Sequence, residues 1–197
     1  MARKKVSVET PSVLAVATAP IFPAARSDLD ASELSDLARC FWAKTGGGAG
    51  AWLSVVQHLM DAADIAEKLF DGYLSEHHRR LMASVWDGDQ SKARASFVFL
   101  AGVHDAGKVS PQFACQSAEL AELIRISVMR KKDYAERAFL PHGLVSQFAL
   151  QEVVAAGGGD PRRARQWAIL VGIHHGRYPD SDAVRVAHQQ YKYQEGS

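Results

Sequence analysis

The stretch Phe97-Val98-Phe99-Leu100-Ala101-Gly102-Val103-His104-Asp105-Ala106-Gly107-Lys108 decides the reading of this chain, because an apolar run ends abruptly in two ionisable residues and then Gly-Lys. An imidazole and a carboxylate at the end of a core element must be paired, neutralised or shared with a cation. Gly102 and Gly107 leave room for close backbone approach on either side of the pair. A self-satisfied His-Asp pair at a helix end accounts for this segment equally well, so its meaning rests on the remaining sequence.

Outward from this segment, three- and four-residue apolar spacing dominates and strand alternation is almost absent. Asp30 caps a predicted helix reaching about Lys44, and the glycine-rich run 46–50 breaks it. Residues 52–70 carry an apolar face through Val55, Leu59, Ala62, Ala66 and Leu69, ended by Asp71-Gly72. Further helices are predicted over 75–86, from 91 into the His-Asp segment, and over 117–129, 143–156 and 161–173. Pro161 stands at the first turn of the last of these. The tail after Pro179 reads as polar and weakly ordered. Residues 1–25 are expected to be a flexible leader, and 26–197 one all-α domain.

Composition narrows the function classes. A net charge of +1, with 47% hydrophobic and 23% charged residues, describes an ordinary globular chain and gives no global attraction to a polyanion. Nucleic-acid binding would need local patches, such as Arg130-Lys131-Lys132, the cluster Arg162, Arg163 and Arg165, or Arg177. Cys40 and Cys115 are isolated, which argues against a disulfide framework and a thiolate zinc site and fits a reducing cytoplasm. No segment approaches the roughly 18 apolar residues of a membrane span, so no membrane partner is expected.

The remaining histidines fall on or beside apolar helical segments. His58 has Asp61 one turn away, where a carboxylate can orient the imidazole. His142 opens a helix after Pro141, with Ser146 one turn later, within reach of the imidazole or a bound water. His174-His175 closes the apolar run 167–173, and Gly176 ends the helix so that both rings can turn toward one point. His77-His78 lies in a charged stretch and receives no ligand role. Five imidazoles and one carboxylate suit borderline transition metals, and a bridging aspartate permits two ions.

This ordered set resembles the HD-superfamily metal phosphohydrolases. The strings Gln57-His58-Leu59-Met60-Asp61, Gly102-Val103-His104-Asp105-Ala106-Gly107-Lys108-Val109-Ser110-Pro111-Gln112-Phe113 and Gly172-Ile173-His174-His175-Gly176-Arg177 are similar, more narrowly, to the HD nuclease domain of the Cas3 family. The resemblance covers roughly 42–179. It implies an HD-domain helical bundle with a dimetal site holding Fe, Mn, Co, Ni or Mg ions. His58, His104 and Asp105 would hold one ion, and Asp105, His142, His174 and His175 the other. Asp105 and Lys108 are the implied catalytic residues, with Lys108 offsetting the charge of the scissile phosphate.

The implied activity is degradation of single-stranded DNA in type I CRISPR interference, by a metal-activated water. The implied partners are the crRNA-guided surveillance complex Cascade and a Cas3 helicase domain. The family pattern also has a further aspartate well beyond the His-His pair, whereas this chain stops at Ser197, and Asp180 and Asp182 lie nearer than that role requires. The chain is therefore expected to be truncated at its C-terminal end, with weakened activity. A nucleotide phosphohydrolase or an inactive HD-derived binding module are the alternatives, and the segment 108–113 favours the nuclease.

Overall fold

The computed structural model describes residues 40–45, 52–118, 120–121, 140–177 and 179–195, together with Ser35 and Ala38. The expected leader, most of the predicted helix 117–129 and the patch Arg130-Lys131-Lys132 lie outside them. The described residues form a helical bundle with a single hairpin. Its elements are β1 (Trp42–Thr45), β2 (Trp52–Ser54), α1 (Val55–Lys68), α2 (Glu76–Ala83), α3 (Gln90–Val103), α4 (Pro111–Ala114), α5 (His142–Ala156), α6 (Pro161–Gly172) and α7 (Ser181–Glu195). A π-turn (Leu69–Tyr73) follows α1, and short 3-10 turns span Ser84–Trp86 and Ala106–Val109.

Helix boundaries follow side-chain capping. Ser54, Ser75, Asp89, Ser110 and Asp160 each accept a hydrogen bond from the first turn of the helix they precede. Pro111 and Pro161 occupy first-turn positions, where a missing N–H costs nothing. Phe70, Ala83 and Ala93 bury beneath Phe97 and Trp86 to join the π-turn, α2 and α3. Leu150, Ala168 and Val171 join α5 to α6 beneath Phe99, Leu100 and Val103 of α3.

Two expectations need correction. The helix predicted to reach Lys44 gives way to β1, which pairs antiparallel with β2 through Trp42–Ser54, Lys44–Leu53 and Thr45–Trp52. Long-range contacts override the local pattern: Trp42 and Ala43 bury against Val55, Phe113 and Ala114, and the Trp42 indole donates to the Ala114 carbonyl at 3.0 Å. The polar tail is α7. Its Val184, Ala187 and Tyr191 recur at helical spacing and pack on Leu140, Leu144, Val145 and Phe148. Among the described residues, no helix is long and apolar enough to cross a membrane.

Candidate metal centre

Helix ends build the centre. His104 and Asp105 follow the last residue of α3, His142 is the first residue of α5, and His174-His175 follow α6, while His58 projects from the first turns of α1. Two close approaches bring these ends together. A Cβ on Gly107 would lie 2.0 Å from the His142 carbonyl oxygen and 2.6 Å from Ser146 N, so only glycine lets the His-Asp turn seat on α5. A Cβ on Gly143 would lie 3.0 Å from the Gly172 carbonyl oxygen and 3.3 Å from the His174 ring, so α5 and α6 also meet backbone to backbone.

Buried Ser146 locks the first contact. Its Oγ accepts from Gly107 N at 2.7 Å and donates to the His142 carbonyl at 3.0 Å, so it ties the His-Asp turn to the helix start that carries His142. This is a backbone role rather than the imidazole contact expected for it. Asp61 accepts from Gln57 Nε2 at 2.7 Å, along its own helix, instead of bonding His58. Phe113 stands edge-on to the His142 ring, with centroids 5.3 Å apart.

Asp105 is buried at the centre, with imidazole nitrogens close to both carboxylate oxygens. Oδ2 lies 2.8 Å from His58 Nε2, 3.2 Å from His104 Nε2 and 2.8 Å from Lys108 Nζ. Oδ1 lies 3.0 Å from His142 Nε2 and 3.1 Å from His174 Nε2, and His175 Nε2 is 2.9 Å from His142 Nε2. Two donor groups result: His58, His104 and Asp105; and Asp105, His142, His174 and His175. Within each, the ligand atoms lie within 4.8 Å of one another.

Proton placement shows why these groups fit a cation. Peptide carbonyls accept only, so the 2.7 Å contacts from His104 Nδ1 to Ala101 O and from His174 Nδ1 to Val171 O place the ring proton on Nδ1 in both. In the neutral ring, each Nε2 lone pair then points at an Asp105 oxygen. Asp105 Oδ1 and His174 Nε2 are both buried without a hydrogen-bond partner despite their 3.1 Å separation. Two acceptors held face to face repel unless a positive charge lies between them. Carbonyl-oriented imidazoles are the usual way proteins aim such a lone pair at a metal.

The charge states agree with this arrangement. Burial works to raise the Asp105 pKa, but the His104, His142 and His174 rings and the Lys108 ammonium around it favour the ionised form, outweigh burial and hold the carboxyl well below its ordinary range. Burial lowers the pKa of His58 and of His175, which keeps both neutral and available as ligands. His104 runs the other way: the hydrogen bond that its protonated ring can make to Asp105 raises its pKa, so in the absence of a cation that imidazole holds its second proton more readily.

Lys108 is buried, its ammonium held by Asp105 Oδ2 and, at 3.1 Å, by the Ala43 carbonyl, and it lies 5.2 Å from the Phe113 ring centroid. Sequence reading missed Ala43 because a backbone carbonyl leaves no residue-type signal. It missed Gly143 and Gly172, whose signal was a glycine beside each histidine station. His77 and His78 lie on exposed α2 outside both donor groups. Asp180 caps α7 through Ala183 N at 2.8 Å, and Asp182 pairs with Arg185, so neither joins the centre. Arg162, Arg163, Arg165 and Arg177 are exposed.

A helical bundle that gathers five imidazoles about one aspartate, the aspartate following a histidine at a helix end, is an HD-type domain. The family model described as "Cas3, HD domain" matches residues 42–197, and the chain belongs to that family. It is 26% identical over 143 residues to the CRISPR-associated endonuclease/helicase Cas3 of Thermus thermophilus, covering 73% of this chain and 15% of that protein. It is 28% identical over 157 residues to the CRISPR-associated nuclease/helicase Cas3 of Streptococcus thermophilus, covering 71% of this chain and 16% of that protein. The chain thus spans about a sixth of the length of these relatives. No solved structure matches it.

Proposed function

We propose that this chain is a metal-dependent DNA nuclease domain that hydrolyses phosphodiesters of single-stranded DNA in type I CRISPR interference. The observation that carries the reading is the opposed, unpartnered pair of acceptors, Asp105 Oδ1 and His174 Nε2, which calls for a cation in a centre shared with the Cas3 HD family. Divalent ions such as Mn, Fe, Co, Ni or Mg, when bound, supply an activated water and stabilise the leaving oxygen.

The chain's own residues do the rest. His58, His104 and Asp105 serve one ion; Asp105, His142, His174 and His175 serve the other. Asp105 divides its two oxygens between the groups, and the Ala101 and Val171 carbonyls fix His104 and His174 in the ligating tautomer. Ser146 and Gly107 set the spacing between the His-Asp turn and α5. His175 is exposed, so a substrate phosphate can approach the centre from the His142 side. Arg177, exposed two residues further, can attract the DNA backbone there, with Arg162, Arg163 and Arg165 adding local positive charge. Lys108 brings a positive charge to the His58 side. The names of the relatives support action beside a helicase in a CRISPR system; in this reading a crRNA-guided surveillance complex supplies the displaced strand.

The test is incubation of circular single-stranded DNA with the purified chain and Mn²⁺, Fe²⁺, Co²⁺, Ni²⁺ or Mg²⁺ in turn. Nicking in at least one metal that vanishes in Asp105→Ala is expected. Cleavage that persists in the variant, or none in any metal, rejects the assignment.

A further inference from the structure

The two oxygens of Asp105 have unlike surroundings. Around Oδ1 stand His142 and His174, with His175 beyond. Around Oδ2 stand His58, His104 and an ammonium, with Lys108 Nζ as close as His58 Nε2, both at 2.8 Å. That ammonium is held from behind by the Ala43 carbonyl at 3.1 Å and by the face of Phe113. Among the described residues the two donor groups share one carboxylate, and the His58 group offers three side chains where the other offers four. A lone carboxylate would have to balance an ammonium and two dications if Lys108 stayed in place.

We propose that the Lys108 ammonium is a resident cation on the His58–His104 side of Asp105. The chain takes its first ion at Asp105, His142, His174 and His175, and admits a second beside His58 only as Lys108 withdraws. This rests on the reading of the centre as a metal site. It makes Lys108 a positioning residue that sets metal stoichiometry, alongside any contact with substrate. The cause is geometric: a cation already stands at hydrogen-bond distance from the oxygen that a second ion must use, and like charges at such separation repel strongly where water is excluded.

The experiment is titration of the metal-stripped full chain with Mn²⁺ alone, followed by calorimetry and by electron paramagnetic resonance of free Mn²⁺. The unmodified chain should bind one ion tightly and a second at least about tenfold more weakly. Lys108→Met should tighten the second step about tenfold or more beyond any gain at the first, and Lys108→Arg should not. Adding His58→Ala to Lys108→Met should erase the gain. Equal tightening of both steps, or none, overturns the inference while leaving the metal reading intact. A chain that binds no Mn²⁺ at all overturns the metal reading and the inference with it.

A second measurement needs no variant and so stands even where Lys108→Met does not fold. Acetylation of Lys108 by acetic anhydride, followed by mass spectrometry, should be slow in the metal-stripped chain and accelerate as the second Mn²⁺ binds. Labelling that stays flat or falls through that step overturns the proposal.

Discussion

His174 Nε2 faces Asp105 Oδ1 at 3.1 Å, both atoms buried and neither hydrogen-bonded. The protein maintains this contact because the Val171 carbonyl holds the proton on the far side of the ring, at Nδ1. A carboxylate and a neutral imidazole gain nothing from one another in that geometry. They gain a great deal from a cation placed between them.

Replacing Asp105 with Asn keeps the shape and removes the charge that both donor groups share. Metal affinity should fall by about 100-fold or more at both steps. The same change leaves the Lys108 ammonium buried without its counter-ion, which should destabilise the metal-free chain by about 3 kcal/mol. Mn²⁺ calorimetry and urea unfolding measure the two effects separately. Full metal affinity in Asp105→Asn would remove Asp105 from the centre.

Gly107→Ala tests the close packing that assembles the site. The added methyl would meet the backbone of His142 and Ser146 at 2.0 and 2.6 Å, and backbone at a helix start cannot step aside as a side chain can. A loss of about 3 kcal/mol or more is expected in urea unfolding. Gly172→Ala is the contrasting variant, because its methyl meets the amide end of Gln147 at 2.1 Å, which can rotate. Its cost should be about 1–2 kcal/mol. Equal costs at the two positions would mean that the α5 backbone yields as readily as the Gln147 side chain.

Ser146→Ala removes the hydroxyl that accepts from Gly107 N and donates to the His142 carbonyl, leaving a buried N–H unsatisfied. The expected loss is about 1–3 kcal/mol. Because the bond fixes the spacing between the His-Asp turn and His142, the tight Mn²⁺ step should weaken as well, by about tenfold. Ser146→Thr, which keeps the hydroxyl, should recover part of the affinity. Thermal unfolding and Mn²⁺ titration report on the two consequences.

The long helices were legible because their apolar residues recur every three or four positions and their caps are Ser, Asp or Pro. The histidine stations were visible for a related reason, since each stands beside an apolar run or at its end, and the fold gathers those ends. The hairpin was not legible, because Trp42 and Ala43 gain their burial from Phe113 and Ala114, about seventy residues away, and a local window contains none of it. α7 hid behind a polar composition whose apolar stripe is only Val184, Ala187 and Tyr191. The hydrogen-bond partners of Ser146 and Asp61 also eluded sequence reading. A hydroxyl or carboxylate has several partners within a turn, and tertiary approach decides among them.

Acidity should act on the metal-free chain from both directions about neutrality. His58 and His175, lowered chiefly by burial, contribute stability that is present above the unfolded imidazole pKa of about 6.5 and is lost as pH falls through their depressed values. His104, raised chiefly by its bond to Asp105, contributes stability that is present below about 6.5 and is lost as pH rises through its elevated value. Asp105, held far below the carboxylate range, keeps its contribution until stronger acid. Stability in a chelator should therefore be greatest near pH ~6.5, and His104→Ala should flatten the alkaline limb while leaving the acid limb in place. Mn²⁺ affinity should move oppositely on that alkaline side, rising with pH as His104 gives up its proton to become a ligand. Urea unfolding and Mn²⁺ titration across one pH series would expose this divergence. Affinity that fell in step with stability above neutrality would show that His104 binds no metal.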